Sequence, residues 1–279
     1  MGTCVLWKSL IVLLIVQSCT NQMKAFGAQV VGGKPARAKE FAPMARLGNR
    51  NENNVTKWLC GGTLISNRLV LTAAHCLYSD VGAVNVVRLG ELDFAIQTDD
   101  ADPEDFGVQN TIEHADFKYP ELYNDIALIQ LNRIVRFNAY KQPACLPVDN
   151  GDRVDNFIAT GWGDTKLAGR ASTRLLKVEL NNYGNDCPTA KDIEELPNGF
   201  NASTQLCIGS SEQKDTCNGD SGGPVFKFNG QRPCTYYVMG ITSIGIACGE
   251  PNKPTIYTRV HFYLDWIRQQ IEKNKLIWS

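Results

Sequence analysis

The chain has 279 residues, 43% of them hydrophobic and 20% charged, with a formal net charge of -1 at pH 7. That length holds one large domain or two smaller ones, each with a full apolar core. The near-neutral balance gives no hint of nucleic acid or an anionic membrane as partner.

In chain order, Lys8 precedes the apolar run from Ser9 to Val16, which is too short to span a bilayer and sits where a signal-peptide core belongs. A signal peptide is expected over residues 1–20, with an end that extends to 28 at most, followed by a short segment 21–29. Ten cysteines point to an oxidising compartment. Loss of Cys4 and Cys19 with the leader leaves eight, an even number that fits four disulfides. Asn54-Val55-Thr56 and Asn201-Ala202-Ser203 are glycosylation sequons and agree with secretion. No second apolar run is long enough to anchor the chain, so a soluble extracellular protein is expected.

Short β-type runs separated by Gly, Pro, Asn and Asp dominate the remainder. They are Gly62–Ile65, Leu69–Thr72, Val84–Leu89, Ile126–Leu131, Phe157–Thr160 and Tyr236–Ile241. Runs of this length and spacing predict a β-sandwich or β-barrel and not parallel α/β units. One helix is expected, from about Tyr263, with Phe262, Trp266, Ile267 and Ile271 near helical spacing. The acidic stretch Asp99–Asp105 matches no rigid calcium-ligand pattern and reads as a solvated loop.

The chemistry centres on Asp215-Thr216-Cys217-Asn218-Gly219-Asp220-Ser221-Gly222-Gly223-Pro224. Glycines around one Ser let the backbone turn sharply and free N–H groups to converge on an oxyanion. A bare Gly-Asp-Ser-Gly is equally an ordinary surface turn. A nucleophilic Ser needs a base and an orienting acid. Of the three histidines, His75 alone follows a strand-like run and adjoins a cysteine; Cys60 and Cys76 bracket a hairpin that would hold it. Asp125, at the mouth of the apolar run Ile126–Leu131, needs a buried partner such as a neutral His. Asp93 and Asp116 are rivals on chemistry, but both lie in polar surroundings that mark them as surface residues.

Val30-Val31-Gly32-Gly33, Thr72-Ala73-Ala74-His75-Cys76, Asp125-Ile126-Ala127-Leu128, Thr160-Gly161-Trp162-Gly163 and Gly219–Pro224 together resemble the trypsin/chymotrypsin family of serine proteases. The His, Asp, Ser order is that family's. The resemblance runs from Val30 to the C-terminus and looks most like the catalytic domains of arthropod clip-domain proteases, with no clip domain expected ahead of Val30. It implies two antiparallel six-stranded barrels (30–145 and 146–279, the second followed by the helix) within a peptidase domain spanning 30–279.

By that resemblance Ser221 is the nucleophile, His75 the general base and acid, and Asp125 its orienting partner; the family is also the source of the general triad scheme. Gly219 and Ser221 amides form the oxyanion hole. Asp215 floors the specificity pocket, which Thr216, Ser243, Gly245 and Thr255 line, and selects Arg or Lys. Thr255 departs from the usual Gly and would narrow the pocket, as in elastase-like members. Cleavage before Val30 frees an ammonium that pairs with Asp220 and orders the oxyanion hole. The implied disulfides are Cys60–Cys76, Cys187–Cys207 and Cys217–Cys248, which leaves Cys145 and Cys234 to pair.

The expected function is that of a secreted serine endopeptidase of zymogen type, monomeric, acting on protein substrates and needing no cofactor or metal. An activating protease and inhibitors such as serpins are its expected partners, with neither nucleic acid nor membrane among them. The alternatives are cleavage after small residues and a catalytically silent regulatory role. Gln29 stands where the family has Arg or Lys, so a protease of other specificity activates the chain, unless signal processing and trimming do so without a regulated zymogen. The first expectation predicts that the active secreted form begins at Val30 on N-terminal sequencing, and that trypsin treatment of the precursor does not generate that end.

Overall fold

The structure, a computed structural model, describes residues 31–166, 168–231, 234–245 and 248–274. The expected signal peptide, the segment 21–29 and Val30 lie outside the described residues.

A two-residue strand, β1 (Lys34–Pro35), leads into β2 (Met44–Arg50), β3 (Thr56–Leu64), β4 (Leu69–Thr72), β5 (Val86–Leu89), β6 (Glu104–Glu113) and β7 (Ala127–Leu131). Strands β2 to β7 close an antiparallel barrel in the order β2-β3-β4-β7-β6-β5. After it come β8 (Asn156–Gly161), β9 (Leu176–Asn182), β10 (Gln205–Gly209), β11 (Pro224–Phe228), β12 (Tyr236–Ile244) and β13 (Thr255–Arg259). These follow the order β9-β10-β13-β12-β11-β8 and close through a β8–β9 ladder into a second six-stranded antiparallel barrel.

The burial pattern explains why the runs form strands. In β9, Leu176, Val178 and Leu180 point into the second core while Lys177 and Glu179 point away, the period of two that a half-buried strand requires. β4 and β7 are apolar almost throughout because both their faces are covered. Leu128 and Ile129 enter the main core, whereas Ala127 packs with Leu122, Cys207 and Ile256 where the two barrels meet.

Two segments cross between the halves. β1 pairs with β9 of the second barrel, Lys34 opposite Lys177, although it precedes the first barrel in sequence. The C-terminal helix α1 (Leu264–Lys273) returns the other way: His114, just after β6, packs against Tyr263 and Trp266. A 3-10 turn over Val260–Tyr263 precedes α1 and has three residues per turn. It rotates the buried face by one position, so Tyr263 is buried and Phe262, expected on that face, is 53% exposed.

Four disulfides join Cys60 to Cys76, Cys145 to Cys234, Cys187 to Cys207 and Cys217 to Cys248. Asn54 and Asn201 are exposed. The acidic stretch is more structured than a solvated loop. Asp100 pairs with Lys39 at 2.6 Å, Asp102 with the buried Lys141 at 2.6 Å, and Asp105 with Arg88 at 2.6 Å. Basic residues from β5 and from around residues 39 and 141 fold back onto it.

Ile267 and Ile271 seat the helix in the core shared by both barrels. Ile267→Ala is expected to cost about 2–5 kcal/mol by leaving a cavity there. Urea unfolding of the two proteins measures it.

Candidate active site

The register of the first barrel brings the acid and the base together. Thr72, the last residue of β4, pairs with Ala127, the first of β7. His75 follows Thr72 in a 3-10 turn over Ala74–Leu77, and Asp125 lies two residues ahead of Ala127, so the two converge. His75 Nδ1 lies 2.7 Å from Asp125 Oδ2, and the His75 backbone N–H donates to Oδ1 at 2.9 Å. Ser243, from β12 of the second barrel, donates its hydroxyl to Oδ2 at 2.5 Å. Asp125 is fully buried. Asn124 before it takes a left-handed φ of 56°, which Asn tolerates, and its side chain accepts from the Tyr263 hydroxyl at 3.0 Å.

Burial pushes the His75 pKa down, but the charge and hydrogen bond of Asp125 outweigh it and the pKa lies above the ordinary 6.5. Burial likewise pushes Asp125 up, yet His75 and Ser243 hold it below the usual carboxylate range.

Ser221 sits in the loop between β10 and β11, and its carbonyl accepts from Gly61 N at 2.8 Å. Gly222 has a φ of 74°, and a Cβ on it would lie 2.2 Å from Thr72 Oγ1, so only glycine fits. The neighbouring peptides fix where two amides point. The Asn218 carbonyl accepts from Asp164 N at 2.7 Å, and the Asp220 carbonyl accepts from Gly223 N at 2.9 Å. A trans peptide sets its N–H opposite its C=O, so the Gly219 and Ser221 amides turn away from those anchors. No hydrogen bond joins Ser221 Oγ to His75 among the described residues; His75 Nε2 lies 3.8 Å from Cys76 Sγ.

Asp220 is 1% exposed, and its carboxylate accepts from Gly163 N at 2.7 Å and Cys217 N at 3.0 Å. A Cβ on Gly161 or Gly163 would come within 2.0 and 2.5 Å of that carboxylate, which is why the Thr160–Gly163 run needs both glycines. Burial raises the Asp220 pKa to about 6 against the pull of those amides and of Arg46.

Asp215 lies at the bottom of a cavity of about 160 Å³ that reaches Ser221 and is lined also by Ser243, Gly245 and Thr255. Thr255 Oγ1 donates to both Asp215 carboxylate oxygens, at 3.0 and 3.2 Å, and Thr216 N donates at 2.8 Å. Burial nevertheless raises the Asp215 pKa to about 7. The same Thr255 hydroxyl would lie 2.5 Å from a Cβ on Gly245, so the two residues share one narrow wall. Thr216 turns its hydroxyl the other way, to the Tyr257 hydroxyl at 2.9 Å.

The family model for Trypsin matches residues 30–267. The chain belongs to the trypsin family. It is a serine endopeptidase by that membership, and curated proteases resemble it over most of their length. Phenoloxidase-activating factor 3 of Holotrichia diomphalia is 36% identical over 87% of this chain and 72% of its own. Venom protease of Bombus pensylvanicus is 37% identical over 85% of this chain and 96% of its own. A CLIP domain-containing serine protease B4 of Anopheles gambiae is 37% identical over 87% and 70%.

Of the rival acids in this protease, Asp116 has an 80% exposed side chain. Asp93 is not the surface residue expected: it is 6% exposed, its backbone forms an isolated antiparallel β-bridge with that of Arg174, and its carboxylate accepts from Ala95 N at 3.1 Å. Sequence reasoning missed Arg46, which reaches the Gly219 carbonyl from β2, and the tie between Ser243 and Asp125. A lone Arg in a strand that alternates weakly carries no signal of either contact.

A raised His75 pKa means that its pairing with Asp125 contributes in full below pH 6.5, while Asp125 stays ionised, and is lost as pH rises through the folded His75 value; in acid it is lost again as Asp125 protonates. NMR titration of the imidazole should give a midpoint above 6.5 in the wild type. Asp125→Asn should bring it down, because burial then acts unopposed.

Proposed function

We propose that this trypsin-family protease hydrolyses peptide bonds through Ser221, His75 and Asp125, and that the pocket above Asp215 selects Arg or Lys before the scissile bond. The observation that carries the reading is the buried carboxylate of Asp125 held 2.7 Å from His75 Nδ1, on the side of the first barrel where Gly61 N meets the Ser221 carbonyl. With Nδ1–H committed to Asp125, Nε2 is the nitrogen left to take the Ser221 proton. Ser221 Oγ bonds to the substrate carbonyl carbon while its proton moves to His75. The Gly219 and Ser221 amides receive the oxyanion. The tetrahedral intermediate then expels the amine, which leaves with that proton, and forms an acyl-enzyme. Water attacks the ester by the same route, giving its proton to His75 and restoring Ser221.

The pocket supports a basic substrate because a desolvated carboxylate gains most from an incoming cation. Thr255 supports a second reading, cleavage after small residues, because its hydroxyl already occupies the Asp215 oxygens and its side chain crowds Gly245. A carboxyl with a pKa of about 7 gives the two readings opposite pH signatures. Above that pH Asp215 is ionised and draws Arg or Lys; below it the carboxyl is neutral and the pull fades.

The reading extends to a secreted, monomeric protein with four disulfides, glycosylated at Asn54 and Asn201. An activating protease frees the Val30 ammonium to pair with Asp220, and protein substrates and serpin-like inhibitors approach the same cleft. Among the described residues no helix is long and apolar enough to cross a membrane.

A fluorophosphonate probe should label the processed enzyme and not the Ser221→Ala variant; an unlabelled wild type would sink the triad. With peptides ending in Arg, Lys or Ala, preference for Arg and Lys should rise by up to about tenfold per pH unit below pH 7 and level off above it, as Asp215 ionises. Thr255→Gly should increase cleavage after Arg. Preference for Ala at all pH values would establish the second reading.

A further inference from the structure

Arg46 lies on β2, opposite Gly61 of β3. Its side chain turns toward the second barrel and is buried, at 5% exposure. Nη1 donates to the Gly219 carbonyl at 2.6 Å, while the buried Nε has no partner among the described residues. Taking a guanidinium out of water for one carbonyl is costly. A neutral amide would satisfy that carbonyl without the charge.

The charge has a use in the loop it touches. Arg46 and Gly61 form one rung of the first barrel, and together they hold the two carbonyls that flank Asp220. Arg46 takes Gly219 O, and Gly61 N takes Ser221 O at 2.8 Å. Gly219 has a φ of 90° and no side chain, so little in its own structure resists rotation. A Cβ there would come only to 3.5 Å from Arg46 Nη2, so the guanidinium lies along the residue. Asp220 and Asp164 offset part of the desolvation of Arg46, and Arg46 in return favours the ionised form of Asp220.

We propose that Arg46 is a positioning residue for peptide hydrolysis: by pinning the Gly219 carbonyl it fixes the Gly219–Asp220 peptide and limits rotation about Gly219, which helps hold the Gly219 amide, set on its other side by the Asn218 carbonyl, toward the oxyanion. The inference rests on the reading of Ser221 as nucleophile. Arg46 touches neither substrate nor the pocket above Asp215, so its effect belongs to kcat and not to KM.

The test uses the processed enzyme, wild type and with Arg46→Met or Arg46→Lys, and the best peptide substrate. Arg46→Met should lower kcat by about tenfold or more, short of the loss of an oxyanion-hole donor itself, with KM within about twofold. Arg46→Lys, which keeps the charge, should recover most of that loss. Wild-type kcat in Arg46→Met overturns the proposal, as does a parallel loss of KM and kcat that lysine does not rescue. If Arg46→Met does not fold, Arg46→Leu replaces it, and wild-type kcat there is equally fatal. Fluorophosphonate labelling separates the two claims. An unlabelled wild type refutes the nucleophile and the inference together, whereas a labelled wild type with an unaffected variant refutes Arg46 alone.

Discussion

The burial of three carboxylates, Asp125, Asp215 and Asp220, is the constraint on which the site depends. A carboxylate removed from water must find donors or take up a proton. Asp125 has the imidazole, a backbone amide and the Ser243 hydroxyl, and stays ionised. Asp220 has two amides and the Arg46 guanidinium, and Asp215 has the Thr216 and Gly249 amides and one hydroxyl shared between its oxygens, but no cation. The pKa values follow the nearby positive charge: Asp125 beside His75 is held low, Asp220 with Arg46 rises to about 6, and Asp215 with no cation rises to about 7. In the proposed reading the latter two await a cation, one from the substrate and one from within the chain.

Glycine makes this burial sterically possible. Asp220 fits because Gly161 and Gly163 lack side chains, and the nucleophile loop fits against the first barrel because Gly61, Gly222 and Gly223 lack them. A Cβ on Gly61 would come within 2.9 Å of Gly223. The barrels thus approach backbone to backbone at the site, and amides of one reach carbonyls of the other. Elsewhere along the seam, ordinary side chains such as Leu122, Ala127 and Ile256 fill the space.

Much of this was legible in the sequence where a local pattern had one physical cause. The apolar runs became strands because period-two alternation or full burial leaves few other options. His75, Asp125 and Ser221 were legible because each broke its surroundings: a His beside a pinned Cys, an acid at the mouth of an apolar strand, a Ser among glycines. The helix was visible, but its face was displaced because a 3-10 turn is indistinguishable from an α-turn in an apolar pattern. Asp93 was misread because polar neighbours in sequence are not polar neighbours in space. Arg46 was invisible for a related reason. Its partner is 173 residues away, across an interface that no local pattern encodes.

The exchange of terminal segments has a mechanical consequence. β1 is a strand of the second barrel lying ahead of the first, and α1 follows the second barrel yet packs on the end of β6 and in the shared core. Each half is strapped by the other's tail, so neither is a separable unit with a hinge between them. Groups of the site drawn from both halves are consequently tied into one frame by these contacts. Selectivity must be exercised by the fit of an extended peptide to a fixed groove, and loss of activity on heating should coincide with the melting of the whole molecule.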